Sequence, residues 1–339
     1  MTDRRPVLAR TVALLGASGC GRSAQVEALT VLHLPGGVGI DPALPAALAA
    51  TGAQVLCVAA DVGVTDETRA WASLLHALGL RAGAVIVTCA DLASSSAAAC
   101  AQAARALDGV ADDAGVLVTS AREGLDPSAL VDVLGGGPRR TRALDAAGPP
   151  VLHVEEVEVA PGAGTAVTGG LLRGTLRTRM ALRVLPPGHA VTVGTLSVRD
   201  EFVTEAVAGE RVTVRLDDAG PGHVLVGAAL VGPDATVRST RVLDVALADG
   251  VRPDHGATVT LHAGARAVAA EVGSLGGRFH QLRCEDEVLV AAWDRVVLCD
   301  VASRRVLGGG DVLDPGARRH GPSRDVLADL ARAAREGPV

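Results

Sequence analysis

The hydrophobic rhythm of this 339-residue chain changes once, across residues 135–150. Before that stretch, short apolar runs alternate with segments whose apolar residues recur every three or four positions. TVALLG, TVLHL, AQVLCVAAD, GAVIVTCAD and GVLVTS read as strands, and SAQVEAL, PALPAALAAT, TDETRAWASLLHALGL and AAACAQAARAL as helices. AQVLCVAAD and GAVIVTCAD are apolar on both faces, as strands covered by helices on both sides must be. Asp126-Pro127 opens one more helix, with Asp as N-cap and Pro at the first helical position. This alternation predicts an α/β domain built on an open parallel sheet.

GGGPRRTRALDAAGPP is a linker by its Gly, Pro and Arg content. Beyond it the period drops to two. VLHVEEVEVA, AVTGGLLRG, MALRVLP, AVTVGTLSV and ERVTVRLD are short alternating runs split by Gly and Pro turns, the pattern of a small antiparallel barrel. A second set follows in RVLDVALA, ATVTLHAG, AVAAEVG, FHQLRCE, VLVAAW and DRVVLCD. The tail from Gly316 has room for one basic-to-amphipathic helix. The expected boundaries are residues 1–147 for the α/β domain, 148–235 and 236–316 for two β-barrels, and 317–339 for the tail.

With 48% hydrophobic and 21% charged residues the chain can bury real cores, which excludes wholesale disorder. Aromatics are nearly absent: only Trp71, Phe202, Phe279 and Trp293 occur, so the cores must be built from Ala, Val and Leu. All 32 cationic side chains are arginine, a uniform bias that weakens any argument from a single lysine replaced by arginine. A net charge of −6 does not advertise a nucleic-acid surface, although a local patch, such as the arginines at 139, 140, 142, 318 and 319, can still touch phosphate. Solvated linker charges are the plainer reading of those five. The six cysteines form no CxxC pair and several sit in apolar runs, as buried reduced thiols do. MTDRRPVLART lacks an apolar signal core, and no run reaches the ~18 apolar residues of a membrane span. The expectation is a cytoplasmic protein with no membrane and no DNA partner.

Gly16-Ala-Ser-Gly-Cys-Gly21-Arg22-Ser23 reads as a P-loop whose lysine has become arginine. Gly16 and Gly21 let backbone N–H groups wrap a phosphate, and the following helix start adds positive potential. Arg22 keeps the charge, but its planar fork is bulkier than an ammonium threaded through the loop. The alternative is a Gly-rich turn that binds nothing.

Several longer stretches carry a resemblance. VEVAPGAGTAVTGGLLRG (157–174) and LSVRDEFVTEAVAGERVTVRL (196–216) resemble the second domain of the selenocysteine-specific elongation factors (SelB) and, less closely, of elongation factor Tu. DRVVLCDVASRRVLGGGDVLDP (294–315) resembles the end of their third domain, and VAADVGVTDETRAWASLLHALGL and VTCAD resemble segments of their GTP-binding domain. Together these cover most of residues 10–315. The resemblance implies a P-loop, Rossmann-like G domain followed by two antiparallel β-barrel domains.

It also implies roles. Ser23 stands at the family's magnesium-ligating position. Thr88-Cys-Ala-Asp91 matches the family's guanine-reading motif, with Asp91 accepting from the base; the competing reading makes Asp91 only the cap of the next helix. Ser120-Ala121-Arg122 fits the motif whose backbone N–H reads the guanine oxygen. Two departures stand out. Where the family has Asp-x-Pro-Gly-His, this chain has His33 and Gly37 around Pro35-Gly36, so it lacks the magnesium-holding carboxylate and the water-positioning histidine. The segment between P-loop helix and that motif, which holds the family's first switch and an edge strand of the sheet, is missing. Losing oriented groups of this kind costs on the order of 10²–10³ each in rate. Hydrolysis at the family's pace is therefore not expected; weak GTP or GDP binding with a poor Mg²⁺ grip is.

In the barrels, the resemblance places Arg199, Asp200 and Arg211 where the family's aminoacyl pocket lies; exposed turn residues are the alternative. The expected partners are aminoacyl-tRNA or the ribosome. Three classes of function stay open at this level: a pseudo-GTPase translation-factor homologue, a residual GTP-binding enzyme, and a nucleotide-free protein scaffold.

Overall fold

The computed structural model describes residues 12–16, 31–33, 40–92, 96–107, 109–120, 122, 125–136, 144–160, 164–220 and 222–337. Gly21, Arg22, Ser23, Gly37, Ala121 and the helix expected at SAQVEAL lie outside them. The chain divides into two compact units. One comprises residues 1–38, 50–144 and 209–211, the other residues 39–49, 145–208 and 212–339.

The first unit is built on five parallel strands: β1 (Val12–Gly16), β2 (Val31–His33), β3 (Ala53–Ala59), β4 (Ala82–Thr88) and β5 (Gly115–Val118). Their order is β2-β1-β3-β4-β5, with every pairing parallel. Val12 to Leu15 and Val55 to Val58 are buried without a polar side chain between them, which is why neither strand shows an alternating pattern. Among the described residues, three helices belong to this unit: α2 (Asp66–Leu78), α3 (Ala97–Arg105) and α4 (Pro127–Gly136).

Each helix starts where its sequence says it should. Thr65 caps α2 in a reciprocal box with Thr68, and Gly79 closes it at φ 68°. Asp126 accepts from the Ser128 N–H at 2.9 Å at the head of α4. That helix lies so close to the sheet that a Cβ on Gly115 would sit 2.3 Å from Val133 Cγ1. Glycine is required there for contact, not for backbone freedom.

PALPAALAAT yields only the short α1 (Leu44–Ala49), because Pro42 and Ala43 form a turn that the Asp41 side chain closes on Ala43 N–H at 2.9 Å. α1 carries no charge, buries Leu44, Pro45, Ala46, Ala47 and Leu48, and belongs to the second unit.

That second unit holds two closed antiparallel barrels. The first uses β6 (Val151–Ala160), β7 (Gly164–Arg173), β8 (Thr175–Arg177), β9 (Ala181–Leu185), β10 (His189–Val198), β11 (Glu201–Val203), β12 (Glu205–Val207), β13 (Arg211–Leu216) and β14 (Ala229–Val231). The ring runs β10-β13-β7-β6-β14-β9, and β9 pairs back onto β10; β11 extends β10, while β8 and β12 form a separate ribbon. The second barrel closes as β15-β18-β17-β16-β19-β20. Its strands are β15 (Arg238–Leu247), β16 (Thr258–Ala263), β17 (Arg266–Gly276), β18 (Phe279–Val290), β19 (Arg295–Asp300) and β20 (Val306–Asp314). The parallel sheet followed by two barrels is the architecture expected from the sequence.

One detail differs. FHQLRCE and the start of VLVAAW are not two strands but parts of one, β18, joined through Asp286 and Glu287, so that Glu285, Asp286 and Glu287 form an acidic run inside it. That acidic run looks like a break in the apolar pattern. It is instead the outward part of a continuous strand, at a register shift against β15 between Thr240 and Val242.

Alternation sets the cores. Leu152, Leu171, Leu182, Leu196 and Val214 fill the first barrel, and Leu243, Leu261, Leu282 and Leu298 the second. Val151, Val231, Val237 and Leu289 join the two. Arg173 and Asp294 pair across the same junction, and Asp294 also accepts from Ala291 N–H at 2.7 Å. Gly264, at φ 56°, turns against the buried His153 ring there, and a Cβ would meet His153 Cε1 at 2.5 Å. The tail forms α5 (Arg324–Glu336), capped by Ser323, with Val326, Leu327 and Leu330 packed on Leu275 and Leu313.

Candidate nucleotide-binding site

In an open parallel sheet, ligands gather at the carboxyl ends of the strands. Here those ends are Gly16, His33, Ala59, Thr88 and Val118. β4 and β5 are adjacent and paired through Val87↔Val118, so the loops after them emerge side by side. Backbone hydrogen bonds fasten these loops together: Thr119 N–H donates to Val87 O at 2.9 Å, and Ala90 N–H to Thr119 O at 3.2 Å. The loops after β4 and β5 are thus stitched to each other at main-chain level.

Thr88 is buried and its hydroxyl donates to Val58 O at 3.5 Å, so it holds the strand end and does not face solvent. Cys89 follows at φ 55°, a left-handed conformation that costs a non-glycine residue some strain and turns the chain out of the sheet. Its side chain packs against the sheet core beside Leu117 and Leu125. Leu92 N–H returns to Cys89 O at 3.0 Å and closes the turn, which leaves Asp91 at the crest. The helix-cap alternative for Asp91 fails: α3 begins at Ala97, with Ser96 at its N-cap. Ser120 is buried at 1% exposure, opposite this turn.

Sequence reasoning missed one contact. The Arg122 guanidinium lies 3.6 Å from the Asp91 carboxylate, with Arg122 86% and Asp91 28% exposed. A pair this open is worth at most about 1 kcal/mol. It pre-positions a carboxylate that can accept from a planar donor edge such as guanine's. No local spacing could have revealed it, because the two residues come from different loops.

The phosphate side is different. Gly16 ends β1, and only residues 17–30 separate it from Val31 of β2. A crossover between parallel neighbours needs about a dozen residues or more, so this connection is near the minimum for returning to the sheet. His33 ends β2 in register with Leu14. Among the described residues no cluster of three or more His, Cys, Asp or Glu could hold a metal. The described donors at this crest are the Asp91 carboxylate and the main chain around Ser120, and no step through a metal is derived.

The barrel positions lie at one end of the β10–β13 pair, whose register Ser197↔Thr213 brings the start of β13 alongside the end of β10. Arg199 and Asp200, at φ 54° and 61°, are the two central residues of the tight turn between β10 and β11. Arg211 opens β13 but groups with the first unit, and burial pulls its guanidinium below the ordinary arginine value. Four of the six cysteines, Cys57, Cys100, Cys284 and Cys299, are free and buried, and burial pushes the last two to about 12 and about 11. No helix among the described residues is long and apolar enough to cross a membrane.

Known proteins resemble this chain in sequence and in fold. Residues 240–319 match the family model for the β-barrel domain of selenocysteine-specific elongation factors. The selenocysteine-specific elongation factor of Desulfomicrobium baculatum is 26% identical over 83% of this chain and 47% of its own length. That of Escherichia coli (strain K12) is 27% identical over 82% and 46%. The chain is similar to SelB-type factors over most of its length, and residues 240–319 carry their β-barrel domain. It spans about half the length of the curated relatives it matches. In fold it superimposes on a bacterial selenocysteine-specific elongation factor, EF-Sec, with a TM-score of 0.83 at 18% identity, covering 95% of this chain and 61% of that one. SelB from Methanococcus maripaludis in complex with the GTP analogue GppNHp gives 0.77 at 17%, covering 94% and 80%.

Proposed function

We propose that this SelB-type chain is a pseudo-GTPase: it holds guanine nucleotide weakly, does not turn it over at a useful rate, and engages aminoacyl-tRNA or the ribosome through its barrels. In domain terms, residues 1–147 form the degenerate G domain, 148–235 and 236–316 the barrel domains. The observation that carries the reading is the contrast at the sheet crest. The Thr88–Asp91 and Ser120–Arg122 loops are tied together by Ala90 N–H to Thr119 O. The β1–β2 connection is cut to residues 17–30 and ends in a strand that offers His33 where a carboxylate is needed.

Phosphoryl transfer asks the protein mainly for positioning and charge, so losing the metal grip and the water-holding histidine removes nearly all it could contribute. Guanine recognition asks only for Asp91, a backbone N–H near Ser120-Ala121, and whatever phosphate contacts Gly16, Gly21, Arg22 and Ser23 retain. The relative crystallised with GppNHp supports a guanine nucleotide as the ligand class. The barrels, with Arg199 and Asp200 on their turn, supply the tRNA-facing part of the reading.

The test combines single-turnover GTP hydrolysis by the purified full chain with native-gel retardation of aminoacyl-tRNA. The expected result is hydrolysis indistinguishable from a no-protein control and a retarded tRNA band without added nucleotide. Hydrolysis at rates typical of translation factors, or no retardation of any tRNA, contradicts it.

A further inference from the structure

The second barrel carries a polar cluster that no part of the proposed function uses. Asp244, on β15, is 4% exposed and lies within the barrel wall. Gln281, on β18, is fully buried and donates through Nε2 both to Asp244 Oδ1 at 3.0 Å and to the Arg318 carbonyl at 3.0 Å. Its Oε1 accepts from Arg283 Nε at 3.2 Å and from His320 N–H at 3.4 Å. Arg283 in turn donates to the His320 carbonyl at 3.4 Å and to Glu271 of β17 at 3.2 Å. Residues 318–320, just before α5, are therefore tied to the barrel through both main chain and side chain.

The His320 ring decides what this tie depends on. Its Nε2 lies 2.8 Å from Asp244 Oδ2 and its Nδ1 3.2 Å from the Gly321 carbonyl. A carboxylate and a carbonyl can only accept. Both ring nitrogens must therefore donate, and only the imidazolium carries two N–H groups. A neutral ring can satisfy one of these partners at a time.

We propose that residues 318–320 form a proton-dependent clasp that holds α5 against the second barrel, closed when His320 is charged and loosened when it is neutral. Beneath α5 the clasp covers Ala246, Leu275 and Leu313, onto which Val326, Leu327 and Leu330 pack, so opening it exposes an apolar patch. The charged groups acting on the ring are Asp244 on β15 and Arg283 on β18, with Glu271 on β17 paired to Arg283; Asp314 on β20 is the backbone register partner of Asp244. Burial alone lowers the imidazole's pKa, but hydrogen bonds to Asp244 and Gly321 and the attraction of Asp244 outweigh it and the repulsion of Arg283, so the value rises. The sign follows. The clasp is fully formed below the ordinary histidine range and is lost as pH rises through the raised value.

Hydrogen exchange of the full chain, corrected for intrinsic rates, tests this at pH 6 and pH 9. Protection of α5 amides is expected to fall on the order of tenfold across that range, the equivalent of one charge-assisted hydrogen bond, while β16–β19 amides keep theirs. In H320Q, α5 protection is expected to be low at both pH values, with β16–β19 again unchanged as the control for folding. Wild-type protection of α5 that is flat with pH, or H320Q showing the same pH dependence as wild type, overturns the proposal. Loss of β16–β19 protection in H320Q also overturns it, since the histidine would then be holding the barrel and not the tail.

Discussion

The second barrel and the parallel sheet draw on the same short list of side chains but expose themselves to loss in different ways. The barrel returns β20 to β15, so each described strand has two neighbours and its ladders have no open edge. Among the described residues the sheet ends in β2 on one side and β5 on the other, and the polar candidates Asp91 and Arg122 sit in loops beyond the strand ends. A closed ladder can lose little without losing everything. An open sheet can lose an edge strand and the loops on its rim while Leu14, Val55 and Ile86 keep its centre packed. Architecture can therefore outlast chemistry in the first unit, which is the situation the proposed pseudo-GTPase reading requires.

This comparison can be broken at its strongest point first. Leu298→Ala, at a fully buried position in the barrel centre, is expected to cost about 2–5 kcal/mol in urea unfolding, with the barrel signal moving as one transition. A loss well below that range would mean that the closed ring is not tightly packed.

Titration gives the next effect. Burial drives His262, on β16, down to about 4, with Asp41 pulling weakly the other way. Folded protein then binds fewer protons than unfolded between that value and the ordinary 6.5, so stability falls as pH drops through this window. The slope approaches about 1.4 kcal/mol per pH unit. Urea midpoints of the barrel unit from pH 7 to pH 5 should show it, and H262Q should flatten it; equal slopes in both proteins would exclude this histidine.

In the sheet, Gly115→Ala places a methyl against Val133, and the expected overpacking cost is about 1–3 kcal/mol by thermal or urea unfolding. A neutral outcome would show that α4 slides freely on the sheet. Smallest is Leu92→Ala beside Asp91. The side chain is 69% exposed, so stability should move by less than ~0.5 kcal/mol, and a larger drop would mean that the crest is buttressed after all.

The sequence made the architecture readable because hydrophobic period is a local signal. VLCVA and AVIVT declare buried parallel strands, and HAVTVGTLSV declares a half-buried one, without reference to anything distant. Caps were equally local, as Thr65 with Thr68 and Asp126 with Ser128 show. The acidic stretch Glu285–Glu287 misled because charge on the outward side of a continuous strand looks the same in sequence as a turn. The Arg122–Asp91 pair and the Asp244–Gln281–His320 cluster were invisible for a deeper reason. Each joins residues from separate segments, 76 positions apart for Asp244 and His320, and pairing at that range is set by tertiary register. The candidate site was half legible: its motifs could be named, but only the structure showed the loops after β4 and β5 stitched together.

The central claim is that base recognition survives without a metal-and-γ-phosphate sensor. Isothermal titration of the full chain with GDP and with GppNHp, each with and without Mg²⁺, tests it most directly. The account predicts equal weak affinities in all four titrations, lowered together by Asp91→Ala. Tighter binding of GppNHp than GDP that appears only when Mg²⁺ is present would contradict it.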